Sequence, residues 1–149
     1  GLLEPDAVKV ARPVLRGPRS LKGPGATRHE RPVTPAGALD IDHMVPLAEV
    51  WDSGASAWTA ARRGAYANVL GQGTSLVAVT ARSNRSKSDQ DPAQWLPPSG
   101  SQEVLCRYGA ERTATKLRWG LAVDGLERER LLDIAVGCGG TQVEFTPAP

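Results

Sequence analysis

An aspartate–histidine pair at the end of a short apolar alternation is the first place in this sequence where side chains could do chemistry. The pair, Asp42 and His43, stands in the stretch ALDIDHMVPLAEVW (residues 38–51), and the chain has only one other histidine, His29. Histidine has an unperturbed pKa of about 6.5, so it is largely neutral near pH 7 and basic enough to take a proton from water. An aspartate can hold a hard divalent cation, which prefers carboxylate, amide and water oxygens. The pair could therefore supply a general base and a metal ligand, and a packed histidine beside a solvated turn is the simpler alternative.

A second polar stretch, ARSNRSKSDQDP (residues 81–92), could complete such a site. Its serines and asparagine compete for backbone hydrogen bonds, so the stretch predicts only a short helix or turn. One interpretation is a solvated polar turn. The functional interpretation makes the amide oxygen of Asn84 a second metal ligand and places three basic side chains near the phosphates of a substrate: Arg82, Arg85 and Lys87.

The elements that must position these residues are short and mixed. Leu39 and Ile41 alternate with two aspartates, which predicts a half-buried strand ending near the histidine. Because successive strand residues point to opposite faces, Asp42 and His43 can serve one face only if the strand bends, and Pro46 is compatible with a bend. The other predicted elements are a helical turn from Pro46, a helix over 56–70, a strand over 75–80 and two helices over 101–120 and 124–138. This mixture indicates an α+β fold.

The last of these helices has a clear beginning in the sequence. Asp124 is suited to be its N-cap, and the apolar spacing predicts that four residues face the core: Leu126, Leu131, Ile134 and Ala135.

Composition separates the leading segment from the rest of the chain. The 149 residues are 40% hydrophobic, which is ordinary for one soluble globular domain, and no apolar run reaches the roughly 18 residues of a membrane span. Residues 1–37 are basic, rich in proline and glycine and without apolar periodicity, so they predict a flexible basic arm before a domain over 38–149, whose tail from about residue 139 is expected to be loose. Seven of the chain's Lys and Arg residues lie in the first 38 positions, so the net charge of +2 is weak evidence for a nucleic-acid partner.

The two cysteines, Cys106 and Cys138, lack the spacing and the additional ligands of a zinc site. A disulfide in an exported protein and two separate buried thiols in a cytosolic one both remain open on spacing alone.

The two polar stretches together resemble a known family. DIDHMVP, followed about forty residues later by VTARSNRSKSDQDP, resembles the two halves of an HNH (ββα-metal) endonuclease, and a closely similar pair occurs in the HNH domain of RNA-guided CRISPR nucleases. The wider context, with DHMVPLAEVWDSGASAW, YANVL, NRSKSDQDPAQWLPP, CRY and KLRWGLAVD, resembles the HNH proteins exported by actinobacteria. These share a subfamily with the nuclease domain of modification-dependent restriction enzymes. The resemblance covers about residues 38 to 138.

The resemblance implies a fold, an activity and a role for each matching residue. It implies a ββα-metal core, with a short antiparallel two-stranded sheet surrounded by additional helices, that hydrolyses the phosphodiester bonds of DNA, or alternatively RNA, with low sequence specificity. His43 matches the general base, Asp42 and Asn84 the ligands of one divalent ion, Asn68 the asparagine that steadies the loop between the strands, and Lys87 a basic position near the scissile strand. The ion would be Mg²⁺ first, with Mn²⁺ or Zn²⁺ as alternatives.

The resemblance also bears on the two cysteines. Exported relatives bond the cysteines matching Cys106 and Cys138, which implies a disulfide and a secreted protein. No membrane partner is expected and a monomer is assumed.

The leading segment departs from the pattern. Exported relatives carry a Cys-Asp-Thr-Arg motif, a further cysteine and several aromatic residues before the Asp-His strand, and residues 1–37 contain none of these. This difference leads to one alternative, a catalytically impaired nucleic-acid-binding module of the same fold. A separate alternative is the toxin nuclease domain of a larger secreted protein.

Overall fold

A short antiparallel hairpin carries the Asp-His pair in the computed structural model, which describes residues 38–69, 74–98, 100–140 and 142–149. Strand β1 (Leu39–His43) pairs with strand β2 (Leu76–Thr80), from Leu39 opposite Thr80 to His43 opposite Leu76. The predicted arm over residues 1–37 lies outside the described residues.

Five α-helices accompany the hairpin within the described ranges: α1 (Leu47–Asp52), α2 (Ala60–Ala67), α3 (Ala81–Lys87), α4 (Gln102–Trp119) and α5 (Gly125–Val136), with a 3₁₀ turn at Ala55–Ala57. Four of the helices begin at a polar residue whose side-chain oxygen accepts a backbone N–H of the first turn: Thr59, Thr80, Ser101 and Asp124. Such caps satisfy donors that a helix leaves unpaired at its start. Since Thr80 both ends β2 and caps α3, strand and helix join without a loop, and the α+β prediction with a ββα unit is confirmed.

Buried apolar residues form two clusters, and both include residues of α4. One contains Val45 and Val50 from the first strand–helix segment, Tyr66 from α2 and Trp119 and Leu121 from the end of α4. These residues fix α1 and α2 beside the end of β1.

The second cluster includes the C-terminal tail. Val143 is buried against Ala110, Ala114 and Leu117 of α4, and Phe145 packs against the same group. Residues 142–149 form no helix or strand, but Val143 and Phe145 pack against α4, where a loose tail was expected.

Charged side chains occupy part of the interior between α1, α4 and α5. Glu127 is fully buried and pairs with Arg112 Nε at 2.7 Å and Lys116 Nζ at 2.5 Å. Leu126, predicted to face the core, is 69% exposed instead, because α5 turns its neighbouring carboxylate toward the two cations of α4.

A disulfide joins Cys106 in α4 to Cys138 just beyond α5, with 5.6 Å between their Cα atoms. The bond between these two cysteines was the expectation drawn from the family resemblance. Within the parts of the chain that are described, no helix combines the length and the apolar character needed to cross a membrane.

Candidate active site

Strand β1 presents its polar side chains in two directions. Pairing with β2 continues through His43, so the strand stays regular to its end and Asp40 and Asp42 share one face while His43 lies on the other. The bend that would place Asp42 and His43 on one face does not occur. The pair instead flanks the end of the strand.

Helix α3 packs against the aspartate face. Asn84 Nδ2 donates to Asp40 Oδ2 at 3.1 Å, and Lys87 Nζ donates to Asp42 Oδ2 at 2.6 Å. Residues three apart lie on the same side of a helix and residues two apart lie on the same side of a strand, so the two pairs form parallel links between α3 and β1. The amide of Asn84 uses its nitrogen for Asp40, which leaves its oxygen available as an acceptor or a ligand.

Lys87 is built into this contact and is not displayed to solvent. It is 2% exposed, and besides Asp42 its ammonium group donates to the carbonyl oxygen of His43 at 2.6 Å. Burial lowers the pKa of Lys87, and the hydrogen bond and charge of Asp42 act in the opposite direction. The predicted contact between Lys87 and a substrate phosphate therefore does not fit the structure, because Lys87 is buried and its ammonium group is paired with the buried Asp42.

His43 is fixed from the side of α2. Its Nε2 lies 3.0 Å from the carbonyl oxygen of Ala67, and its ring stacks on Tyr66 with 5.8 Å between centroids. Tyr66 is in turn held by a 2.6 Å hydrogen bond from its hydroxyl to the carbonyl oxygen of Val45. A carbonyl can only accept, so in the neutral imidazole Nε2 carries the proton and Nδ1 carries the lone pair.

Asn68, the predicted loop-steadying residue, is adjacent to this contact without joining it. Its side chain is exposed and donates from Nδ2 to the carbonyl oxygen of Gly64 at 2.9 Å, which closes the end of α2. Loop residues 70–73 lie outside the described ranges, so its predicted role toward them stays a prediction. The atom that orients His43 is the main-chain oxygen of Ala67, which no residue type in the sequence could have indicated.

The two remaining predicted substrate contacts point outward from α3. Arg82 and Arg85 are exposed, and neither forms an ion pair with any residue that the structure describes. Their guanidinium groups are available to an anionic partner. Asp40 is a site residue that sequence reasoning missed, and its signal was the Asp-x-Asp spacing that places both carboxylates on one strand face.

The oxygen atoms at this face are of the type that a hard cation takes. Asp40 and Asp42 of β1 supply carboxylate oxygens and Asn84 of α3 supplies an amide oxygen. Mg²⁺ is usually held by one or two carboxylates while it keeps several waters. No cluster of three or more His, Cys, Asp or Glu side chains suited to a metal occurs among the described residues. The oxygens of Asp40, Asp42 and Asn84 could hold Mg²⁺, and they do not include the nitrogen and sulfur ligands of a structural zinc site.

An antiparallel hairpin followed directly by a helix, with a histidine ending the first strand and an asparagine on the helix, defines an α+β unit of the HNH nuclease type. The chain belongs to the family described as GmrSD restriction endonucleases, C-terminal domain, whose family model matches residues 18–134. The predicted relation to the nuclease domain of restriction enzymes is confirmed, and the match begins within the segment predicted to be an arm.

A curated relative gives a second comparison. The chain is 38% identical over 105 residues to a protein of Arthroderma benhamiae called an uncharacterized secreted protein. The aligned part covers 70% of this chain and 50% of the relative, so the chain spans about half of that protein's length. No solved structure matches the chain.

Proposed function

We propose that this protein is a metal-dependent endonuclease that hydrolyses the phosphodiester bonds of DNA, or alternatively RNA, with low sequence specificity. The observation that carries the proposal is the 3.0 Å contact between His43 Nε2 and the carbonyl oxygen of Ala67 at the end of β1. It leaves Nδ1 as a base with a defined orientation at the end of β1. Asp42 and His43 lie on opposite faces there, so in this proposal the scissile phosphate lies across the end of the strand, between the base and the aspartate face. Membership of a restriction endonuclease family supports the same reaction.

His43 acts as the general base in this mechanism. Nδ1 accepts a proton from the water that attacks phosphorus, and the resulting imidazolium is stabilised because Nε2–H remains bonded to Ala67. Stacking on Tyr66 keeps the ring plane fixed while the proton moves. The products are a 5′-phosphate and a 3′-hydroxyl.

Asp42 and Asn84 would hold the divalent ion, Mg²⁺ first and Mn²⁺ or Zn²⁺ as alternatives. When bound, such an ion supplies Lewis-acid stabilisation of the charge that develops on phosphate and leaving-group oxygens. Lys87 keeps the Asp42 carboxylate in place through Oδ2, and Asp40 orients the Asn84 amide.

Substrate binding in this proposal is mainly electrostatic. Arg82 and Arg85 contact phosphates, which positions a strand without reading its sequence. The disulfide and the secreted relative support an extracellular location.

A plasmid-nicking assay tests the activity. With Mg²⁺ the protein should nick supercoiled DNA, EDTA should stop the reaction, and His43→Ala should lower the rate about 10²- to 10⁴-fold, the usual contribution of general-base catalysis. His29→Ala, which removes the chain's other histidine, is the matched control and should keep the rate.

Two results would overturn the proposal. Equal rates for His43→Ala and the unaltered protein would exclude His43 as the base. Binding of DNA with no nicking at micromolar protein would instead favour a non-catalytic nucleic-acid-binding module, in which Lys87 permanently occupies the charge site beside Asp42.

A further inference from the structure

A cavity of about 430 Å³ adjoins the aspartate face of the hairpin. Its lining includes Asp42 and Lys87, residues 76–79 of β2, Trp95 and residues of α4. Its volume falls within the range of small-ligand sites, about 300 to 1,000 Å³. The cavity therefore shares two side chains with the proposed active site and extends away from them.

Two buried polar atoms of residues in the cavity lining have no hydrogen-bond partner among the described residues. Glu111 is 4% exposed and Tyr108 is 6% exposed, and neither Glu111 Oε1 nor the Tyr108 hydroxyl has a hydrogen bond to any described residue. Buried polar groups are bonded in the large majority of cases. A buried carboxylate oxygen and a buried hydroxyl on successive turns of one helix, neither of them hydrogen-bonded to a described residue, indicate that something else supplies the missing contacts.

The charge states of these groups define what they can bind. Burial raises the pKa of Glu111 to about 7, with the charge of Arg107 acting in the opposite direction. Burial also raises the pKa of Tyr108 to about 12, so its hydroxyl stays neutral and can donate. Slightly above neutral pH the cavity thus offers a carboxylate that accepts and a phenol that donates.

The walls are apolar and partly planar. Trp95 is held by a 2.9 Å hydrogen bond from its Nε1 to Ser86 and by an edge contact with Tyr108 at 5.9 Å. Val79 and Val104 are among the apolar residues that complete the lining. A fixed indole with aliphatic residues around it suits a flat, weakly hydrated ring.

We propose that this cavity receives one unstacked nucleobase of the substrate strand, next to the scissile phosphate, and that it favours guanine. The inference rests on the proposed nuclease function and adds a base-binding subsite to it. The Watson–Crick edge of guanine places two adjacent N–H donors beside one carbonyl, which matches a carboxylate next to a hydroxyl donor. Enzymes that read an unstacked base use this combination of edge hydrogen bonds and apolar packing. Thymine offers a single N–H donor, so it satisfies only part of the set.

Binding of labelled oligonucleotides without metal separates this subsite from catalysis. The full chain is titrated in EDTA at about pH 8, where Glu111 is mostly ionised, with three single-stranded probes. These are oligo-dT, the same strand with one central guanine, and the same strand with inosine in place of that guanine. The guanine probe should bind about tenfold more tightly than oligo-dT, a factor typical of one good base contact. Inosine, which lacks the 2-amino group, should lie between them.

Two variants locate the preference in the cavity. Glu111→Gln should bring the affinity for the guanine probe close to that for oligo-dT, whereas Glu103→Gln, on the exposed part of the same helix, should leave it unchanged. Tyr108→Phe removes a hydroxyl that has no protein partner among the described residues, so a purely structural role predicts no loss of binding. A weakened guanine preference in a stably folded Tyr108→Phe protein supports the subsite.

The outcomes keep the two proposals apart. Equal binding of all three probes, or a guanine preference that survives both cavity variants, overturns the subsite and makes the cavity a water-filled space. If the same preparation still nicks plasmid DNA, the nuclease proposal stands. If instead the guanine preference depends on Glu111 but the protein fails to nick DNA, the subsite stands and the catalytic proposal falls.

Discussion

At the scale of single residues, Lys87 determines how Asp42 is presented. Its ammonium group touches Asp42 Oδ2 and the carbonyl of His43, so one cation neutralises the carboxylate and ties α3 to the strand that bears the proposed base. A divalent ion at Asp42 would supply the same positive charge. Either Lys87 or a metal ion could thus provide the positive charge that compensates the nearly buried Asp42 carboxylate.

Replacing Lys87 tests this relation. Lys87→Met keeps most of the side-chain volume but leaves the Asp42 carboxylate buried and unpaired, so the free energy of unfolding in EDTA should fall by about 3 to 5 kcal/mol. Mg²⁺ should restore part of that loss, because it binds the folded state through Asp42. Urea unfolding with and without Mg²⁺ measures both effects.

The matched control is Arg85→Met, an exposed change on the same helix that should stay within about 0.5 kcal/mol of the unaltered protein. The double variant Asp42→Asn with Lys87→Met should lose the Mg²⁺ effect. If Mg²⁺ stabilised that double variant as much as it stabilises Lys87→Met, Asp42 would not be a ligand of the ion.

Glu111 gives the folded protein a pH-dependent stability. Burial raises the pKa of its carboxyl from 4.5 to about 7, so the folded chain keeps a proton that the unfolded chain has already released. The stability from this group is therefore present at low pH and is lost as pH rises from about 4.5 through 7. A glutamine at position 111 does not titrate. The free energy of unfolding of Glu111→Gln, relative to that of the unaltered protein, should therefore increase over this pH range by up to roughly 3 kcal/mol.

Denaturant unfolding at several pH values measures that difference. Glu103→Gln, exposed on the same helix, should give a curve parallel to that of the unaltered protein. Parallel curves for Glu111→Gln as well would show that Glu111 titrates in the folded protein as it does in the unfolded chain.

Residue types indicated much of the site before the fold was known. Asp42, His43 and Asn84 lie at the end of β1 and on α3 because short-range patterns, an alternation and a Thr-capped polar turn, fix those elements locally. The partner of His43 could not be predicted, since it is a backbone oxygen brought in by α2 from 24 residues away. Lys87 was misplaced because a lysine in a polar stretch is usually on the surface.

At the scale of elements, a buried charge cluster holds α1, α4 and α5 together. Arg112 and Lys116 of α4 share Glu127 of α5, and Lys116 also contacts Glu49 of α1 at 2.8 Å. Arg112 reaches further, donating to the carbonyl oxygen of Met44 just beyond β1 at 3.2 Å. The cluster therefore links the helical layer to the end of the strand that carries the proposed base.

Removing the shared carboxylate should weaken the whole layer. Glu127→Ala leaves Arg112 and Lys116 with Glu49 as their one remaining carboxylate, so one buried positive charge is uncompensated and the free energy of unfolding should fall by about 3 to 5 kcal/mol. Glu129→Ala, exposed on the same helix, should change it by less than about 0.5 kcal/mol. Thermal unfolding followed by circular dichroism compares the two, and similar midpoints would show that the cluster adds nothing to stability.

The helices were easier to predict than the face each one buries. Capping residues such as Asp124 mark where a helix starts, and this signal is local. Whether Leu126 or Glu127 faces inward depends on Arg112 and Lys116, which lie on another helix. Pairing between residues on different helices does not appear in the apolar periodicity of either helix. The apolar spacing of α5 therefore predicted that Leu126 faces the core, whereas Glu127 does.

At the scale of the whole molecule, the disulfide closes a loop that contains most of α4 and all of α5. Cys106 and Cys138 are 32 positions apart, and the loop holds the charge cluster's Arg112, Lys116 and Glu127. The hairpin and α3, which carry the proposed site, lie outside the loop in sequence. The disulfide is therefore expected to stabilise the protein mainly by reducing the conformational entropy of the unfolded chain, with little effect on the geometry of the proposed site.

This separation can be measured with the double variant Cys106→Ser, Cys138→Ser. In the chain-entropy model a loop of this length contributes about 3 to 4 kcal/mol, so the free energy of unfolding should fall by about that amount. Well below the unfolding midpoint, the NMR signals of the His43 imidazole should remain at their positions, because Ala67 and Tyr66 still fix the ring. The unaltered protein under reducing conditions is the matched control and should reproduce both results. Displaced His43 signals in a variant that is still folded would show instead that the disulfide shapes the site, since α4 also contributes Arg112 to the backbone that follows β1.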